Sequence, residues 1–207
     1  MLTAESLACR RGRRLVFRDL SFALDAGDLL LVTGRNGCGK SSLLRVLAGF
    51  LLPMQGTISW QNEPVMDRAL HAERLHYLGH LDAAKPELTV AEMCDYWRTL
   101  RRAPRVPGRQ FLEPFGLADL AQRRIRYLSA GQKRRLALTR LTLDDAPLWL
   151  LDEPTSSLDR KSEGLLAGLV AQHRAKGGVA IIATHHTKGF DGAKYLALDG
   201  TDGGENA

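Results

Sequence analysis

The sequence predicts an α/β fold, a parallel sheet interrupted by a mostly helical insertion. Three observations carry that prediction. Apolar runs of strand length recur at Leu29–Val32, Leu148–Leu151 and Val179–Ala183, and the last two each follow a helix-spaced stretch. A glycine-rich loop joins the first run to a segment with helical spacing. From Thr89 to about Arg126 the pattern changes to helices and turns, broken by Pro104, Pro107 and Pro114.

In chain order, Leu15–Leu24 reads as a strand within a first part that extends to about Trp60. Leu29-Leu-Leu-Val32 is continuously apolar over strand length, the signature of a buried strand. Gly34-Arg35-Asn36-Gly37-Cys38-Gly39-Lys40-Ser41, followed by Ser42, then fits G-x-x-x-x-G-K-[ST], a loop that cradles nucleotide phosphates. The chemistry needs these residue types. Glycines tolerate positive φ and let backbone N–H groups approach an anion, and the helix read over Ser41–Leu47 adds its positive dipole end. Lys40 is expected on the β- and γ-phosphates and the Ser41 hydroxyl on Mg²⁺. Leu75–Leu78 is a short strand. Leu128-Ser129-Ala-Gly131-Gln132 opens a helix expected over Lys133–Leu143. Ser129 and Gln132 form an S-x-x-Q capping box, and a capped helix start behind small residues is also an anion site. Both roles can hold together. Leu148–Leu151 ends in Asp152-Glu153, and open α/β sheets bind ligands at the carboxyl ends of their strands. Asp152 is expected to hold Mg²⁺ opposite Ser41. Glu153, alternating to the other side, is expected to orient and deprotonate a water.

The 207 residues are 44% hydrophobic, enough for one α/β core with a small second lobe. No window approaches the roughly 18 consecutive apolar residues of a membrane span. Met1-Leu-Thr-Ala-Glu has neither the basic region nor the apolar core of a signal peptide. Cys9, Cys38 and Cys94 are scattered without C-x-x-C spacing, which fits a reducing, cytosolic setting. The net charge of +6 includes short arginine clusters at Arg10-Arg11, Arg13-Arg14, Arg101-Arg102 and Arg123-Arg124. They are not interleaved with aromatics as in a single-strand binder, and read as a solvated or partner-facing surface. No C-x-x-C-H accompanies His71, His76, His173 or His186.

Gly34–Ser41, Leu128–Gln132, Leu151-Asp152-Glu153-Pro154, Ser157-Leu158-Asp159 and Thr184-His185 resemble the ordered motifs of ATP-binding-cassette (ABC) ATPases. The resemblance covers nearly the whole chain. It implies a P-loop NTPase of ABC topology, with a parallel-sheet core lobe, an antiparallel β part and an inserted helical lobe. The expected layout is a single ABC ATPase domain over residues 1–207, with the insertion at about 82–135. ATP and Mg²⁺ are the implied ligands. His185 is the implied switch histidine at the γ-phosphate, and Asp159 belongs to a loop that crosses a dimer interface. One set of motifs per chain implies a homodimer. The turn at Ser129, Gly131 and Gln132 of one copy then faces the γ-phosphate held by Lys40 of the other.

Two positions depart from the family. Where an aromatic residue normally stacks on adenine, the chain has Arg11 before Gly12; a guanidinium plane can also stack on a π-face. Where a Gln normally joins the γ-phosphate site to the inserted lobe, the chain has His80, expected to keep that linking role. Tyr77-Leu-Gly-His80, Lys85-Pro-Glu-Leu-Thr89 and Leu128–Leu138 resemble the haem-exporter ATPases of bacterial cytochrome c maturation. That narrower resemblance implies a peripheral subunit on the cytoplasmic face of the bacterial inner membrane. It would bind integral membrane permease subunits and power haem delivery, without contacting haem directly and without a specific nucleic acid. The alternatives are another small ABC exporter or a soluble ABC ATPase acting on ribosomes or DNA. The docking groove for the membrane partner is expected around Leu81–Leu100. There Leu88, Val90, Met93, Tyr96 and Trp97 form either the docking face or the lobe's own core, and an exposed Trp97 would favour docking.

Overall fold

The computed structural model describes residues 1–65, 67–80, 83–104 and 108–198. Leu81 and Asp82, at the expected start of the inserted lobe, and the helix breaker Pro107 lie outside the described residues. The chain opens with a long hairpin of β1 (Leu2–Arg11) and β2 (Arg14–Leu24), turned at Gly12 with φ +59°. β3 (Leu29–Thr33) runs into the glycine loop and α1 (Lys40–Leu47). β4 (Gln55–Trp60) and β5 (Glu63–Pro64) then return beside β1, giving an antiparallel sheet of order β2-β1-β4-β5.

After α2 (Arg68–Glu73) and β6 (Leu75–Leu78) comes the insertion, built from α3 (Val90–Leu100), α4 (Gly108–Leu112), short 3₁₀ turns and α5 (Ala130–Leu138). β7 (Leu148–Asp152), α6 (Arg160–Ala175), β8 (Val179–Ala183) and β9 (Lys194–Ala197) complete a parallel sheet of order β6-β7-β8-β3-β9. All five residues of β7 and of β8 are buried, as befits strands covered on both faces.

Period-two alternation divides the apolar side chains between two cores. Leu30, Val32, Leu150 and Ile181 pack with α1 and the antiparallel sheet. Leu29, Leu31, Leu151 and Ile182 pack with the insertion and α6. The parallel sheet therefore lies between two layers, and its carboxyl edge is left for a ligand.

The insertion is tied to this sheet by polar contacts. Arg101, capping the C-terminus of α3, donates from Nε to Asp144 Oδ2 at 2.6 Å and reaches the carbonyls of Ala72, Glu73 and Leu75. His76 Nε2 lies 3.0 Å from Asp144 Oδ1. Burial works the other way, yet hydrogen bonds from His76 and Arg101 hold the Asp144 carboxyl well below the usual carboxylate range.

Two expectations change. The helix expected over Lys133–Leu143 instead starts at Ala130 and ends at Leu138, where a 3₁₀ turn, Thr139–Thr142, takes over. Thr139 is the cause at hand: its hydroxyl donates to Leu136 O at 2.7 Å, a local bond that competes with the helix ladder. In the insertion, Val90, Met93 and Trp97 are 0%, 0% and 6% exposed, and Leu88 packs against the same cluster. These residues form the lobe's core, and Trp97 is not a docking face. Tyr96 alone of the five is exposed, with the Lys85 ammonium 4.1 Å above its ring. Among the described residues, no helix is long and apolar enough to cross a membrane.

Candidate functional site

Parallel strands deliver their carboxyl ends to one edge, and here four neighbours do so in turn. β3 ends in the glycine loop, β8 is followed by Thr184-His185, β7 ends on Asp152, and β6 is followed by Gly79-His80. Residues far apart in sequence are thereby placed side by side. A cleft of about 590 Å³ opens at this edge. Asn36, Gly37, Gly39, Lys40, Ser41 and Ser42 line it from the loop; His80, Asp152 and Glu153 line it from the other strand ends. The β1–β2 hairpin adds Arg11, Arg14 and Val16.

The loop's shape depends on two glycines. Gly39 has φ +115°, and a Cβ there would collide with Val16 Cγ1. Gly34 has φ +137°, and a Cβ there would collide with the carbonyl oxygen of Leu198. Cys38 is 4% exposed and does not line the cleft; it packs behind the loop against Gly34. Gly34 and Arg35 do not line it either, but their carbonyls receive Lys40 Nζ at 2.9 and 3.3 Å. The ammonium thus folds back on its own loop.

One imidazole nitrogen joins the candidate base Glu153 to two residues of the phosphate loop. His185 Nε2 lies 3.1 Å from Lys40 Nζ, 2.7 Å from Asn36 Oδ1 and 3.4 Å from Glu153 Oε1. Asp152 is 2% exposed. The alternation expected of a strand does not send Glu153 away from it. β7 ends at Asp152, Glu153 turns to φ +46°, and both carboxylates face one cleft. Backbone strain at that residue replaces strand alternation.

Ser129, Gly131, Gln132 and Asp159 do not line this cleft within one chain. The Ser129–Gln132 capping box is present: Gln132 N donates to Ser129 Oγ at 3.2 Å and Ser129 N to Gln132 Oε1 at 2.9 Å. Asp159 caps α6, accepting from Ser162 N at 2.8 Å, and that backbone bond draws its carboxyl down. Ser129 and Asp159 are both exposed.

Sequence reasoning missed Arg14. It stands opposite Arg11 in the hairpin register, a relation that alternation plus the Gly12 turn could have exposed. Three other histidines serve the interior. His71 Nε2 is 2.7 Å from Leu47 O, His76 meets Asp144, and His173 stacks on Trp149 with ring centroids 4.0 Å apart. His186 is exposed, and its backbone N–H donates to Thr184 Oγ1 at 2.9 Å.

The ABC transporter family model matches residues 17–156, which include the glycine loop, the capping box and Asp152-Glu153. The chain belongs to the ABC transporter family. As an ABC ATPase, it is similar over nearly its full length to several curated relatives. It is 48% identical over 96% of the chain, and 86% of the relative, to the cytochrome c biogenesis ATP-binding export protein CcmA of Rhodospirillum rubrum. The CcmA of Paramagnetospirillum magneticum is 49% identical over 95% of this chain and 93% of its own. Among solved structures, an ABC transporter ATP-binding protein from Pyrococcus furiosus superposes with TM-score 0.81 at 18% identity, covering 95% of this cassette and 96% of the other. A dimeric ATP-binding cassette bound to ADP and Pi superposes with TM-score 0.80 at 20% identity, over 96% and 94%. These two likenesses show the cassette fold.

Proposed function

We propose that this ABC ATPase powers haem delivery for c-type cytochrome biogenesis, as a homodimer bound to integral membrane permease subunits. The whole chain, residues 1–207, acts as one cassette with an inserted helical lobe. It works peripherally, on the cytoplasmic face of the bacterial inner membrane. The observation that carries the biological half is the 48% identity over 96% of the chain to a cytochrome c biogenesis export ATPase. The chemical half rests on His185 Nε2, which from beside the cleft meets three residues that line it, Lys40, Asn36 and Glu153.

In this reading the loop N–H groups of Asn36–Ser41 cradle the phosphates of ATP. Lys40 Nζ leaves the Gly34 and Arg35 carbonyls for the β- and γ-phosphates. Glu153 orients and deprotonates the attacking water, and His185 contacts the γ-phosphate and steadies the Glu153 carboxylate beside it. Ser41 hydroxyl and Asp152 carboxylate are hard oxygen donors in the same cleft, a set that fits Mg²⁺ shared with phosphate oxygens. When bound, Mg²⁺ neutralises charge on the β- and γ-phosphates. Arg11 stacks on the base, and His80 relays the state of the γ-phosphate to the inserted lobe. Ser129, Gly131 and Gln132, which stand outside their own chain's cleft, complete the cleft of a second copy.

Affinity-tagged chain, purified from native membranes in mild detergent, should bring down integral membrane subunits of cytochrome c maturation. A different permease would refute the haem reading and leave the ATPase intact.

A further inference from the structure

A guanidinium stays charged at any physiological pH, so stripping it of water is costly unless its donors are met. Arg134 is only 3% exposed, and its donors reach backbone carbonyls. Nε donates to Pro154 O at 3.1 Å and Nη1 to Gly79 O at 3.0 Å. Nη2 donates to Asp152 O at 2.9 Å and to Glu153 O at 2.7 Å. These acceptors sit where β6 and β7 end. Gly79 immediately precedes His80, and Asp152–Pro154 carries both carboxylates of the cleft. Arg134 itself does not line the cleft.

Glu153 makes this arrangement informative. A φ of +46° is unfavourable for a residue with a side chain, and persists only where the surroundings hold it. Both backbone groups of Glu153 are held: its N–H donates to Ala183 O at 2.8 Å, and its carbonyl accepts from Arg134. The same carbonyl also accepts from Ser156 N–H, inside its own turn, at 3.1 Å, so the bond from the guanidinium is the shorter of the two and the one that comes from another element.

The other end of the lever is α5. Arg134 rides on its second turn, directly behind the Ser129–Gln132 box. The same helix touches the catalytic segment again at Gly131, where a Cβ would stand 2.8 Å from Ser157 O. The start of α5 and residues 152–157 are therefore packed as one piece.

We propose that Arg134 is a positioning residue for ATP hydrolysis. It holds Glu153 in its left-handed conformation and ties that geometry, with the His80 turn, to the position of the Ser129–Gln132 turn. The inference rests on the reading of Glu153 as the base and of the Ser129 turn as the contact to a second copy's γ-phosphate. Nucleotide in the partner's cleft is thus sensed at Glu153 without passing through this chain's own phosphate loop.

The test uses the full chain with MgATP and the variants Arg134→Lys and Arg134→Met. Lysine keeps the charge but cannot fork across the ends of two strands; methionine keeps much of the volume. Four quantities are measured: melting temperature, affinity for a fluorescent ATP analogue, kcat and KM. Arg134→Lys should melt within a few degrees of the parent and bind nucleotide within about threefold, with kcat about 30-fold lower and KM unchanged, the mark of a misplaced base. A parental kcat in Arg134→Lys overturns the proposal. So does a fall in rate that merely tracks lost nucleotide binding, or failure of both variants to fold, since each makes Arg134 structural. Glu153→Gln serves as a separate control: if it hydrolyses ATP like the parent, the assignment of the base fails, whatever Arg134 does.

Discussion

Arg11 and Arg14 face one another across the last pair of the β1–β2 hairpin, and like charges in that position repel. Neither forms an ion pair among the described residues, and both line the cleft beside the phosphate loop. A stacked base fits that arrangement, because its π-face attracts a guanidinium. Arg11→Ala should therefore weaken ATP binding about fivefold, the worth of one cation–π contact of roughly 1 kcal/mol. Arg11→Tyr should bind at least as well as the parent, keeping the stack and removing the repulsion. Titration with a fluorescent ATP analogue reads both; an unchanged affinity in Arg11→Ala removes Arg11 from the site. Arg14 becomes legible in the sequence only when the Gly12 turn is used to set strand register, which puts it opposite Arg11.

Two helices begin with the same capping box yet differ in their surroundings. Thr89 and Glu92 cap α3 inside the insertion, whereas Ser129 and Gln132 cap α5, which packs at Gly131 against Ser157. Thr89→Ala and Ser129→Ala should each cost about 1 kcal/mol of stability, seen by urea unfolding. Only Ser129→Ala should also lower ATP hydrolysis, through the contact proposed for it with a second copy. Equal effects on hydrolysis would reduce Ser129 to a cap.

Where the last turn of α6 packs on β7, burial against Trp149 pushes the His173 imidazole down to about 4. In the unfolded chain it titrates near 6.5. Its contribution to stability is thus complete above about pH 6.5 and is lost as pH falls toward 4, since only the unfolded chain takes up the proton. The loss should be about 2 kcal/mol by pH 5. His71 and His76 are displaced in the same direction by burial, so the total loss mixes several groups. The clean readout is His173→Phe, which keeps an aromatic stack and should flatten the unfolding free energy between pH 7.5 and 5. An unaltered pH slope in that variant excludes His173 as the source.

Over the whole molecule, the cleft and the Ser129 turn of one chain do not meet. Hydrolysis that needs both must recruit a second copy, and removing the proposed base, Glu153, should trap that copy. Glu153→Gln with MgATP should run at twice its nucleotide-free mass in size-exclusion chromatography with light scattering. It should also melt higher, because ligand and partner bind only the folded chain. A monomer at saturating ATP would contradict the shared site. Of the short arginine clusters behind the +6 charge, two supply Arg11 and Arg14 to the cleft.

Local pattern along the chain was enough to establish the α/β class, the parallel strands and the phosphate loop. Those properties are local: Gly34–Ser41 needs only its own glycines and lysine, and β7 and β8 announce themselves by unbroken apolar runs. It also determined the capping box at Ser129, whose two hydrogen bonds span three residues. Tertiary structure decided what no local pattern contains. It buried Trp97 in the lobe, because α3 must cover its apolar face against the rest of the insertion. It turned Glu153 back beside Asp152, because the strand ends in a left-handed residue held by Ala183 and Arg134 from two other elements. Arg134 gains its meaning only from partners 18 to 55 positions away. Contacts of that range are set when the sheet closes, and spacing along the chain does not record them.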